Sequence, residues 1–274
     1  MKYYKILKND MIHHSFQYKE GLNVDTNPFN ETSNCGGGLF FSDAENILSF
    51  RQYGDLIAEV EIPAGTKIVQ VGDKYKAHAI IIKNIKPIWT VDTFKYFIEE
   101  GIDIHTENDW AFRYAAENGN LELVKFLVDN NADIHAYNDY AFRYAAGYGY
   151  LDIVEYLIDK GVDIHTENDW AFRHAVENGH LDVVRYLFDN GVNVHIMDDA
   201  IIWAAANNHL DMVEYLVSKG ADIHACDDLA FRLAVSCCHL NIIKYLVNEG
   251  VDIHMSNDWA LKFGPKKVIS YLKH

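Results

Sequence analysis

The residues readiest for chemistry are histidines. Six of them close a recurring "D-I-H" or a variant of it, at His105, His135, His165, His195, His224 and His254. Imidazole binds zinc and exchanges protons near neutrality, so such a row raises a metal hypothesis. The spacing weighs against it. The histidines fall thirty, thirty, thirty, twenty-nine and thirty residues apart. Stacked helical units lie about 8–10 Å apart, whereas ligands of one zinc ion need ring nitrogens about 2 Å from the metal. Successive histidines therefore belong to separate turns, in which Asp and His are expected to bond turn backbone. The stretch "CGGGLFF" lacks the Gly-Lys-Ser/Thr that cradles a nucleotide phosphate, and reads as a flexible turn before a strand. Cys35, Cys226, Cys237 and Cys238 show no regular spacing. They read as reduced thiols, the vicinal pair serving packing. No residue is assigned to a metal, a cofactor or a catalytic step.

The elements that carry these histidines repeat. "DIHTENDWAFR" stands at 103–113 and, unchanged, at 163–173. A period near thirty residues marks units too small to bury their own apolar faces, which stack on their neighbours. In one unit Asp109 is expected to cap a helix whose short apolar face is Phe112, Ala115 and Ala116. Gly119 breaks that helix. Leu121, Val124, Leu127 and Val128 then recur at three- and four-residue spacing, predicting a second amphipathic helix.

These residues resemble ankyrin repeats. "WAFRYAAENGNLELVKFLVDNNADIHA" runs parallel to the family pattern T-P-L-H-x-A-A-x-x-G-H-L-x-x-V-x-x-L-L-x-x-G-A-D-V-N-A, and four further copies follow. The resemblance implies a protein-binding array of helix pairs. Two departures matter. The units are about three residues shorter than the typical 33, and the loss falls between "ADIHA" and "DWAFR", where the family carries its projecting β-turn. Blunt or missing fingers are expected. The family's Thr-Pro is absent, and its His is replaced by Arg113, Arg143, Arg173, Trp203, Arg232 and Lys262. The 29-residue copy reads as having lost its interhelical glycine. The expected organisation is an α+β domain over 1–90 and an all-α ankyrin array over 91–274. The array divides into a half repeat (91–108), five full repeats (109–257) and a capping repeat (258–274), with Pro265 suited to a first helical turn.

Residues 1–90 lack the period. "NPFN", "NCGGG", "IPAG" and "VGD" are turn signals between short segments. "GLFF", "LIAEVEI", "KIVQV" and "AHAIIIK" read as strands, and Ser42 with Glu45 reads as a capping box opening a helix that stops at Gly54. Such a domain beside short "ADIH" repeats is similar to the ankyrin-repeat proteins of giant DNA viruses of the mimivirus type. "GGGLFFSDAENILSF" also resembles the Gly-x-Tyr-Phe strand and helix of ADP-ribosyltransferases. That second resemblance implies a pocket for NAD, with His13 or His14 on the ribose, Phe40 or Phe41 at the tyrosine position, and Glu59 or Glu61 stabilising an oxocarbenium charge.

The formal charge of −16 is carried wholly by residues 91–274, because residues 1–90 hold ten basic and ten acidic side chains. Such an acidic array repels phosphate backbones, so no nucleic-acid partner is expected; it suits solubility or a protein partner with a basic surface. The opening "MKYYKILKND" does not read as a secretory signal, and the longest apolar run is too short for a membrane span, so a cytoplasm-like compartment is expected. Large aromatics recur at one repeat position, Trp110, Tyr140 and Trp170, giving way to Ala200 and Leu229 before Trp259. Either they fill space left by the short fingers, or they form a binding stripe. The family geometry implies contact positions just before the interhelical glycine: Glu117 and Asn118, Gly147 and Tyr148, Glu177 and Asn178, Asn207 and Asn208, Ser236 and Cys237. The expected function is non-catalytic protein binding through the concave face, with the transferase or a ubiquitin-ligase adaptor as the alternative.

Overall fold

In a computed structural model of the chain, the described residues are 1–31, 37–192 and 196–273; Cys35 and His195 fall outside them. The short apolar runs of the first ninety residues become strands. They are β1 (Tyr3–Leu7), β2 (Ile12–His13), β3 (Phe16–Gln17), β4 (Gly21–Val24), β5 (Leu39–Asp43), β6 (Leu56–Glu61), β7 (Ile68–Val71), β8 (Lys74–Ala77) and β9 (Ala79–Pro87). Seven pair antiparallel in the order β4-β9-β6-β1-β5-β8-β7. Leu7, Leu39, Phe41, Val60, Ile80 and Ile82 form the core of this region.

The helix read from Ser42 is shorter than expected. Ser42 lies in β5, paired with Tyr4 of β1, and its hydroxyl donates to the carbonyl of Asp73 at 3.0 Å. The sheet has taken the side chain that was to cap. Asp43 instead accepts from the backbone N–H and the amide of Asn46, and a 3-10 helix follows over Ile47–Tyr53, with Gly54 at its end. Nor are Gly37 and Gly38 loosely held. A Cβ on Gly37 would come 2.2 Å from the Pro28 carbonyl oxygen, and the Gly38 N–H donates to the buried Asp25 carboxylate.

Beyond Pro87 the described residues hold helices. They are α1 (Val91–Glu99), α2 (Thr106–Glu117), α3 (Leu121–Asp129), α4 (Ala136–Gly147), α5 (Leu151–Asp159), α6 (Thr166–Glu177) and α7 (Leu181–Asp189). After these come α8 (Met197–Ala206), α9 (Leu210–Ser218), α10 (Ala225–Ser236), α11 (Leu240–Asn248), α12 (Met255–Phe263) and α13 (Lys266–Leu272). The expected apolar rows are buried: Phe142, Ala145, Ala146, Ile153, Val154 and Leu157 in one copy, Phe172, Ala175, Val176, Val183, Val184 and Leu187 in the next. By packing, the chain forms two units, residues 1–115 with 122–132, and residues 116–121 with 133–274.

No strand replaces the missing fingers among the described residues. Three successive residues turn left-handed instead: Glu107–Asn108–Asp109, Tyr137–Asn138–Asp139, Glu167–Asn168–Asp169 and Cys226–Asp227–Asp228, all with φ between 53° and 57°. Left-handed geometry costs an L-residue about 1–2 kcal/mol, with Asn and Asp the most tolerant non-glycine types. The arginine that stands for the family's histidine closes the turn. Arg143 donates from Nε to the Asn138 carbonyl (2.8 Å) and from a terminal nitrogen to that of Tyr137 (3.0 Å). Arg113 does the same to Asn108 and Glu107, and Arg173 donates to Glu167.

The 29-residue copy corrects the sequence alignment. Ala200, Ile201, Ala204 and Ala205 are its fully buried first-helix residues, matching Ala171, Phe172, Ala175 and Val176. The missing residue therefore lies before the helix, and Asn208 occupies the glycine's left-handed position with φ 66°. Asp199 and Ile202, not Ala200 and Trp203, correspond to Trp170 and Arg173. This copy has one connecting residue fewer and no arginine at the closing position. Residues Ile196 to Ala206 run right-handed, without the left-handed turn.

Candidate functional site

The histidine row is committed to the turns. In each described copy the first Asp accepts from the backbone N–H of the His two residues on, as Asp133 does from His135 at 2.9 Å. Because an ionised carboxylate only accepts, the ring Nδ1–H of that His donates to the Asp four residues later. The distances are 2.5 Å for His105–Asp109, 2.7 Å for His135–Asp139, and 2.6 Å for both His165–Asp169 and His224–Asp228. His254–Asp258 follows at 2.7 Å, and this bond holds the Asp258 carboxyl below its ordinary pKa. The histidines thus bond a carboxylate rather than backbone carbonyls. Asp109, expected as an N-cap, accepts from the His105 ring, and its counterpart Asp139 accepts from His135 and from the Thr166 hydroxyl. Among the described residues no three His, Cys, Asp or Glu side chains converge as metal ligands would.

A second set of histidines ties copies together, and the sequence reading passed over it. His209 Nε2–H donates to the Glu177 carbonyl at 2.9 Å and His239 Nε2–H to that of Ala206 at 3.1 Å. His180 bonds the Gly147 carbonyl, and burial holds its pKa down. These rings occupy the space over the interhelical glycines: a Cβ on Gly149 would meet His180 at 2.5 Å, and one on Gly179 would meet His209 at 2.5 Å. The signal was present, as the "GHL" and "NHL" matching the family's G-H-L.

The aromatic positions divide between the two units. In the first, Trp110 stacks on Tyr114 (4.8 Å), and the Arg51 guanidinium lies over its ring at 3.7 Å. Arg51 also pairs with Glu107 at 2.5 Å, so Trp110 is covered from residues 1–90. In the second, a continuous row forms. Tyr140 stacks on Tyr144 (3.9 Å), Tyr144 meets Trp170 (5.1 Å), and Trp170 meets His174 (3.7 Å). The Tyr140 hydroxyl donates to Glu117 at 3.2 Å, and burial, reinforced by the Glu117 charge, raises its pKa. These rings are half-buried, whereas Tyr148, 6.1 Å from Tyr144, is 48% exposed.

Around this row, Glu177 is half-buried beside His174 (3.0 Å), and exposed Asn178 donates to the carbonyls of Gly147 and His174. Asn118 is exposed. Asn207 is also exposed and donates to the Trp203 carbonyl. Asn208, expected as a contact residue, is the turn residue itself, so the pair preceding the turn in that copy is Ala206 and Asn207. Cys237 is exposed rather than packed, and Cys238 holds the glycine position with φ 64°.

The transferase constellation is not assembled. His13, His14, Phe40 and Phe41 line a cavity of about 1020 Å³, whereas Glu59 and Glu61 line a separate depression with Met1, Lys2 and Tyr3. Glu59 accepts from the Tyr96 hydroxyl (2.5 Å) and the Asn84 amide (3.0 Å), and Glu61 pairs with Lys83.

Helix pairs at a thirty-residue period, with buried alanine and leucine rows and a left-handed residue between helices, define a helical repeat protein. The chain belongs to the ankyrin-repeat family: the model for ankyrin repeats matches three overlapping stretches, residues 89–168, 112–198 and 172–257, more than half of the sequence. It is similar to ankyrin repeat proteins of Acanthamoeba polyphaga mimivirus, as the resemblance implied. Identity is 35% to protein R896 (44% of this chain, 39% of the relative). It is 31% to R868 (44% and 64%) and 37% to R229 (44% and 43%). The chain thus spans less than two thirds of each relative's length. No helix among the described residues is long and apolar enough to cross a membrane.

Proposed function

We propose that the repeats act as a non-catalytic scaffold that binds a protein with a basic surface, through the first-helix face around Tyr148. The observation that carries this reading is the row Tyr140–Tyr144–Trp170 together with Tyr148, which lies 6.1 Å from Tyr144 and is 48% exposed, in repeats that also carry exposed Asn178 and acidic Glu117 and Glu177. A ring already held on one side loses little rotamer freedom on docking, and tyrosine is enriched among residues that dominate binding energy. The acidic charge of residues 91–274 adds attraction for a basic partner that salt screens. Trp110 takes no part, because Arg51 covers its ring.

Site-directed photo-crosslinking of the full chain tests this. A benzophenone side chain at position 148 should yield one defined adduct with a host-cell polypeptide, lost in high salt. The same group at exposed Glu249 should yield none. Equal adducts from both positions, or none from position 148, would refute the assignment of the face.

A further inference from the structure

The cavity in the strand-rich region has a composition that the scaffold reading does not use. Lys5 of β1 and Lys74 of β8 lie on its wall with Phe40 of β5, the strand between them. Lys5 is 4% exposed, and its ammonium donates to the Phe40 carbonyl at 2.6 Å and lies 4.4 Å from the centre of the Tyr18 ring. Lys74 lies over the Phe40 ring at 4.5 Å. Neither ammonium has a carboxylate within ion-pair distance among the described residues, and residues 32–36 (TSNCG) contain no acid. A buried cation without a counter-charge is costly unless something supplies one.

The acids on the wall do not. Asp25 is engaged by the N–H groups of Gly38 and Asn27 and by the Asn27 amide, and Glu31 pairs with Lys67. Burial, with Lys74 nearby, lowers the Lys5 pKa to about 7, the response expected of an ammonium lacking an anion. The rest of the lining includes the aromatic side chains of Phe16, Tyr18, Phe29, Phe50 and Tyr53, beside His13 and His14. Pockets of this size hold drug-sized ligands, with few polar groups fixing their orientation.

We propose that this cavity binds a small organic anion that carries an aromatic ring, with the anionic group beside Lys5 and Lys74 and the ring among the aromatic side chains. The site is separate from the scaffold face, and its failure would leave that face untouched.

Pyridoxal 5′-phosphate is a suitable probe, because it joins a ring, an anion and an aldehyde that condenses with an unprotonated lysine. The full chain would be treated at pH 7.5, the imine reduced with borohydride, and the modified lysines mapped by peptide mass spectrometry. Saturable modification of Lys5, at least tenfold above any exposed lysine, is expected. Phenyl phosphate should suppress it at least fivefold, and inorganic phosphate at equal concentration should not. Lys74→Met should weaken that protection at least threefold while leaving the melting temperature of the chain unchanged. Modification spread evenly over exposed lysines would overturn the site. Equal protection by the two phosphates, or by neither, would overturn the ligand class.

Discussion

The strand-rich region and the repeats dispose of their charged side chains in opposite ways. In the repeats, nearly every polar group that looked chemical is consumed by construction: the D-x-H histidines by their aspartates, the arginines by the carbonyls of the left-handed turns. In the strand-rich region Lys5 is buried with a backbone carbonyl and a ring for company, on the wall of a cavity. Periodic histidines are therefore poor guides to chemistry here, and the informative cation is one that follows no period. The comparison also separates two sources of specificity. The repeats offer an exposed face for a macromolecule, while the N-terminal cavity offers a lined space for a small anion.

The comparison can be sharpened from its strongest effects downward. Leu157 is fully buried in the array, and Leu157→Ala should cost about 2–5 kcal/mol in chemical denaturation. Lys5 should impose a pH dependence on stability. Its folded pKa of about 7 lies below the ordinary 10.5, so between those values the unfolded chain binds the extra proton and stability rises with pH. The gain is about 3 kcal/mol by pH 9.5, is absent below pH 7, and should vanish in Lys5→Met; a denaturation series in pH steps reads it. Arg143→Leu, which leaves the Tyr137 and Asn138 carbonyls without their donor, should cost about 1–3 kcal/mol. Arg143→Lys should recover little, because a lysine lacks the planar fork. Asp227→Gly is the smallest and has the opposite sign. Asp227 is exposed at φ 57°, so glycine there should stabilise by about 0.5–1 kcal/mol, measured as a rise in denaturation midpoint.

Much of the fold was legible because it repeats. Phe142, Leu157 and their counterparts recur at fixed offsets, and recurrence averages out the ambiguity of any single helix. The short connections announced missing fingers, but not what replaces them: three left-handed residues in succession run against the local preference of Glu, Tyr or Cys. Only the arginine six residues past the turn's start shows why they persist. The 29-residue copy was misaligned for the same reason. Sequence alone placed the gap at the missing glycine, whereas burial of Ala200 and Ala204 shows that Asn208 fills the glycine's role. In the strand-rich region local signals competed with the sheet, and Ser42 went to β5 rather than to a helix cap. Lys5 lay hidden in an ordinary "YYKIL", because nothing in sequence tells which strand position faces a cavity.

For the face itself, exposure separates Tyr148 from the half-buried Tyr140 and Trp170, a distinction the repeat position could not make. The most direct test is the affinity of the full chain for its crosslinked partner, compared between the native protein and Tyr148→Ala at low and high salt. A loss of at least tenfold, about 1.4 kcal/mol, with unchanged melting temperature and weaker binding in salt for both proteins, is the predicted result. Equal affinity of the two proteins would contradict the claim that this face of the repeats does the binding.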